Sequence, residues 1–164
     1  MMQFFSFPNP VNDKAARTVA TGVVLMSIAF LATGWVWVLI PLTYGFWARV
    51  FTGPTMSPLG QLATRLIAPR LGEPRLTPGP PKRFAQAIGV VFSTTALILA
   101  LSVGIGAAQI VIAMLLIAAS LEAFLGLCLG CKAFGVLMKA GVIPESICVE
   151  CADLSLRYPQ LSKS

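Results

Sequence analysis

All four cysteines fall in one stretch, Cys128 to Cys151, as the pairs CLGC and CVEC with sixteen residues between them. The chain has no histidine to compete with them as soft ligand or base. Two C-x-x-C pairs at this separation read either as a four-thiolate metal site or as two dithiols that exchange electrons or sulfur. The i, i+3 spacing within each pair sets both sulfurs on one helical face. A chain reversal about Gly141 would bring Cys131, ten residues before it, level with Cys151, ten after it. Four sulfurs converging across such a hairpin could hold zinc at ~2.3 Å. They could equally pass electrons, since thiolate attack on a disulfide needs the same proximity.

Lys132 directly follows Cys131, and a thiol at a helix N-terminus beside a cation has a lowered pKa. CLGCK resembles the C-x-x-C-K arrangement of thioredoxin-type motifs over five residues, without the proline between the cysteines.

The elements that must position these thiols are membrane helices. Charged residues make up 11% of the chain and apolar residues 57%, against a usual charged share of about 25%. The expected fold is therefore all-α, a four-helix transmembrane bundle in one domain, residues 1–164, with a short interfacial helix and a C-terminal cysteine-bearing helical hairpin. Spans are predicted at about 15–33, 35–50, 84–103 and 107–127. A loop at 51–83 and the four-cysteine segment 128–155 lie outside them. Asn12 is a helix cap and Asp13 suits the first turn. Trp35 and Trp37 mark one membrane interface, Trp47 and Tyr44 the other. A second apolar run follows the first at once with no small-residue cleavage site between, which argues against a signal peptide. Ser57-Pro58 opens the interfacial helix, with Leu59, Leu62, Leu66 and Ile67 on one face, packed on the bundle. Pro69 ends it, and Pro78-Gly79-Pro80-Pro81 reads as a stiff connector that is not helical.

All twelve Lys and Arg fall in or beside the N-terminal segment, the 51–83 loop or the C-terminal segment. The positive-inside rule then predicts a multi-pass protein of the inner (plasma) membrane with both termini cytoplasmic. The four cysteines would face a reducing compartment, where a static disulfide framework is the least expected arrangement. The net charge of +6 comes without aromatic-basic interleaving, so nucleic acid is not an expected partner. Glu122 is the one formally charged side chain away from the ends of the predicted spans, ~9 Å deeper than Cys128. It is either a functional carboxylate or a glutamic acid hydrogen-bonded to Ser93, Thr94 or Thr95. On one continuous helix Glu122 and Cys131 point apart, so their cooperation requires a break at Gly126 or Gly130.

The opening FPNPVNDKAAR, the four spans and EAFLGLCLGCKAFGVLMKAGVIPESICVEC resemble a bacterial integral-membrane family catalogued as domain of unknown function 4395. The resemblance covers nearly the whole chain and implies that Cys128, Cys131, Cys148 and Cys151 are its marked positions. It also implies a setting of sulfur or thiol metabolism with a rhodanese-like or thioredoxin-like soluble partner. It carries no activity. A looser architectural likeness is to quinone-linked thiol oxidoreductases, which work on the opposite, oxidising side of the membrane. Three readings follow. In the first, the two cysteine pairs relay disulfide or persulfide sulfur, with Glu122 a proton acceptor. In the second, the four cysteines hold structural zinc, or an iron-sulfur centre, in a membrane scaffold or complex subunit. In the third, the chain is a small transporter that needs a homo-oligomer.

Overall fold

Asn12 starts the bundle, because its side-chain oxygen accepts a hydrogen bond from Lys14 N at 3.0 Å and caps helix α1, Asp13–Thr33. In the computed structural model, which describes residues 9–148, the chain is all-α apart from two short paired strands. Strand β1, Val11–Asn12, runs antiparallel to β2, Leu76–Thr77. This pairing ties the starts of α1 and α4, Gly79–Ser102, to the same end of the molecule.

After Gly34 the chain turns through a 3-10 segment, Val36–Val38, into α2, Leu39–Thr52. Ser57 caps α3, Pro58–Gln61, which continues as a π-helical segment, Leu62–Ile67, and a 3-10 turn, Ala68–Leu71. Ala63 and Ala68 pack against Ala15 and Val19 of α1, whereas Leu62 and Leu66 are exposed. This segment thus docks through Ala63, Ala68 and Leu59 and turns Leu62 and Leu66 outward.

The proline-rich connector is a departure from expectation. Pro80 and Pro81 occupy the first turn of α4, where a missing N–H costs nothing because no helical acceptor precedes it. Helix α4 therefore starts five residues before the span predicted from Phe84, and it includes Lys82. Gly104 turns the chain into α5, Ile105–Ser120, which ends in a π-helical segment, Leu121–Leu125. Helix α6, Leu129–Lys139, follows, and a 3-10 turn at Glu145–Ile147 comes after Gly141.

Helices α1, α2, α4 and α5 bury a common core that includes Phe30, Leu39, Leu42, Ala96 and Ile112. Leu25, Ile98, Ile110 and Ile117 remain exposed on the outside, as expected where lipid and not water is the solvent. Three helices, Asp13–Thr33, Gly79–Ser102 and Ile105–Leu125, are long and apolar enough to cross a membrane, and Val36–Thr52 is a shorter apolar one. The protein is a helical membrane protein.

Candidate functional site

Gly126 ends the α5 segment in the left-handed conformation, at φ 67, with its N–H donating to Glu122 O at 3.1 Å. This break is what the sequence required for Glu122 and the first cysteine pair to meet. Arg17 of α1 covers the carbonyls left open there, its Nε donating to Ala123 O at 3.2 Å and its Nη2 to Phe124 O at 2.9 Å. The chain then reverses into α6, and Cys128 is the N-cap of that helix.

Two contacts hold α6 on α4. Phe134 is buried edge-to-face against Phe84, centroids 5.7 Å apart. Gly130 lies so close to Ala85 that an added Cβ would stand 2.5 Å from the alanine Cβ. The glycine between the two cysteines thus has a packing reason: any side chain there would lift the thiols away from α4.

Beneath the thiols lies a buried ionic cluster. Lys82 Nζ is 2.7 Å from Glu122 Oε1 and 3.1 Å from Asp13 Oδ1. The side chains of Lys82, Asp13 and Glu122 are 6%, 11% and 15% exposed, so water screens this triad little. Asp13 is fixed by its position at the start of α1 and by its N–H, which donates to Arg75 O at 2.7 Å. Glu122 therefore pairs with Lys82 and not with the span-three hydroxyls the sequence suggested; the Ser93 hydroxyl donates instead to Val90 O at 3.3 Å. The physical reason is that a lysine from the first turn of α4 reaches the same depth as the carboxylate.

Cys128 and Cys131 are free thiols, the first buried and the second half-buried. Cys131 N–H donates to Cys128 Sγ at 3.3 Å. The Cys131 thiol also donates to Cys128, which lowers the Cys128 pKa; burial and Glu122 oppose this, and Lys82 supports it. The same hydrogen bond, together with burial, pushes Cys131 strongly upward. The pair is therefore unequal, Cys128 being the more readily ionised sulfur and Cys131 the one that keeps its proton.

A cavity of about 340 Å³ opens onto both sulfurs and is lined also by Asp13, Lys82, Lys132 and Thr77. A second, apolar cavity of about 310 Å³ reaches Cys128 and Glu122 from within the bundle.

Cys148 is buried and disulfide-bonded, against the expectation of reduced thiols, and Cys151 lies outside the described residues. Among the described residues no three Cys, Asp or Glu side chains gather in metal-holding geometry.

Residues 11–139 match the profile of one protein family. The chain belongs to the Domain of unknown function (DUF4395) family. The matched region holds Asp13, Lys82, Glu122, Cys128 and Cys131, whereas the second cysteine pair lies beyond it. No curated protein and no solved structure matches the chain.

Reading by motif found Cys128, Cys131 and Glu122 in this DUF4395 chain but missed Asp13 and Lys82. The missing signal was available, because a carboxylate within an apolar span demands a cation at matching depth.

Proposed function

We propose that this DUF4395 protein is a membrane-embedded thiol-disulfide exchanger in which Cys128 is the attacking sulfur and Cys131 the resolving one. The observation that carries this reading is Cys128 at the start of α6, accepting hydrogen bonds from Cys131 and lying near the buried Lys82 ammonium. The Cys128 thiolate attacks one sulfur of a partner disulfide, forms a mixed disulfide and expels the partner's other sulfur as thiolate. The Cys131 thiol then gives its proton to that leaving thiolate. Its sulfur attacks Cys128 Sγ, closing the Cys128–Cys131 disulfide and releasing the partner's second sulfur as a thiolate, which takes a proton from water to complete the dithiol. Run backwards, the same steps oxidise a partner dithiol.

The partner is a soluble thioredoxin-like or rhodanese-like protein that reaches the thiols through the cavity containing Lys132 and Thr77. The concentration of Lys and Arg at this end supports a cytoplasmic orientation in the plasma membrane. The test is trapping in cells. With Cys131→Ser, a disulfide-linked adduct to a soluble protein accumulates through Cys128, and with Cys128→Ser it does not. A purified chain that carries about one zinc, lost when either Cys128 or Cys131 is replaced, would overturn the reading in favour of a structural metal.

A further inference from the structure

Cys128 lines both the aqueous-end cavity and the apolar one. The apolar cavity, about 310 Å³, is walled by Phe46, Phe92, Leu115 and Ala119 of the spanning helices and lined also by Glu122 and Cys128. That volume and lining suit a small aromatic head group. The polar groups meeting it are a thiol, whose neighbour can complete a disulfide, a carboxylate hydrogen-bonded to Lys82 at 2.7 Å, and the Gln86 amide, whose Oε1 accepts from Arg49 Nε at 2.8 Å. Its apolar lining suits a ligand that partitions into the hydrocarbon layer. To use both a dithiol and a carboxylate there, it must take up an electron pair and protons.

We infer that the apolar cavity binds a lipid-soluble quinone, which oxidises the Cys128–Cys131 dithiol from the membrane side. The inference rests on the exchange reading above and supplies its oxidant. In the step, a bond forms between Cys128 Sγ and Cys131 Sγ, and the two electrons released pass to the quinone ring. One proton reaches a quinone oxygen from the Cys131 thiol. The second enters from the aqueous-end cavity by way of Lys82 and Glu122, giving quinol and the closed disulfide. A soluble dithiol then reduces that disulfide from the other side, so electrons run from the soluble partner into the membrane.

Decylubiquinone is a suitable probe because its ring is fully substituted and does not add thiols. The full chain, reduced in detergent and freed of reductant, is mixed with it anaerobically. Quinone absorbance and the Cys128–Cys131 disulfide are followed together, and reaction with 5,5′-dithiobis(2-nitrobenzoate), a soluble disulfide, is measured in parallel. Quinone loss matched by disulfide formation is expected, abolished by Cys131→Ser. Ala118→Phe, which fills the cavity from α5, and Ala133→Phe, at its exposed rim, are each expected to raise the half-saturating decylubiquinone concentration about tenfold relative to the soluble-disulfide reaction. Thiols that react with the soluble disulfide but leave decylubiquinone untouched overturn the quinone inference and spare the exchange reading. Failure of both reactions overturns both. Quinone reduction indifferent to both phenylalanine variants removes it from this cavity.

Discussion

Lys82 and Arg49 are both buried at the basic end of the bundle, each 5% exposed, yet they are held in opposite ways. Lys82 lies between two carboxylates, Asp13 and Glu122. Among the described residues Arg49 makes no contact ion pair, Glu122 reaching it only as a longer-range charge. Its Nε donates to Gln86 Oε1 at 2.8 Å, its Nη1 to Ser57 Oγ at 3.3 Å, and its guanidinium lies 4.6 Å from the centre of the Phe46 ring. Arg49 joins α2 to α4 and to the cap of α3, so its charge serves packing. The Lys82 charge faces groups that gain and lose protons. The difference teaches that burial of a cation alone does not mark a site; the ionisable company it keeps does.

Replacing Lys82 has the largest expected effect. Lys82→Met leaves two carboxylates buried together without a counter-charge, a loss of about 3–5 kcal/mol. Thermal unfolding in detergent measures it. Because Lys82 helps to lower the Cys128 pKa, the same variant moves the pH profile of Cys128 alkylation to higher pH. Arg49→Met removes hydrogen bonds from Gln86 and Ser57 and costs about 1–3 kcal/mol, while the Cys128 profile stays where it was. An Arg49 variant that moved that profile would erase the distinction.

Gly130→Val separates position from charge. The added side chain meets Ala85 and costs about 1–3 kcal/mol through overpacking. It also slows Cys128 alkylation by displacing α6, with the Lys82 cluster left intact. The smallest expected effect on stability is that of Cys131→Ala, which removes the thiol donor with little change in fold. Cys128 then loses its largest stabilising contact and its alkylation profile moves to higher pH, whereas Cys131→Ser, keeping an O–H donor, moves it less.

Much of this architecture could be read from local chemistry. Apolar runs gave the long helices, Asn12 the first cap, and Gly126 was one of the two glycines at which a break would let Glu122 approach the first cysteine pair. The ionic cluster was harder to see because its cation follows two prolines. Prolines read as connector everywhere except in a helix's first turn, and that is where Pro80 and Pro81 lie. Asp13 looked like an ordinary first-turn acid, since its partner is 69 positions away along the chain. Gly130 gave no signal beyond its place in the motif, because its role depends on Ala85 across a helix contact. The role of Arg49 was hidden for a similar reason: a basic residue at a span end reads as a topology marker until its partners are known.

The central claim is that the first cysteine pair is unequal, with Cys128 carrying the thiolate. The most direct test is site-resolved alkylation of the full chain in detergent by iodoacetamide, quantified by mass spectrometry across pH. Because the Cys128 pKa is lowered, its rate should stay high below the ordinary thiol range and fall only as pH drops through that lowered value. Cys131, held protonated, should remain slow across the same range. Equal rates at the two sulfurs, or faster modification of Cys131, would contradict the account.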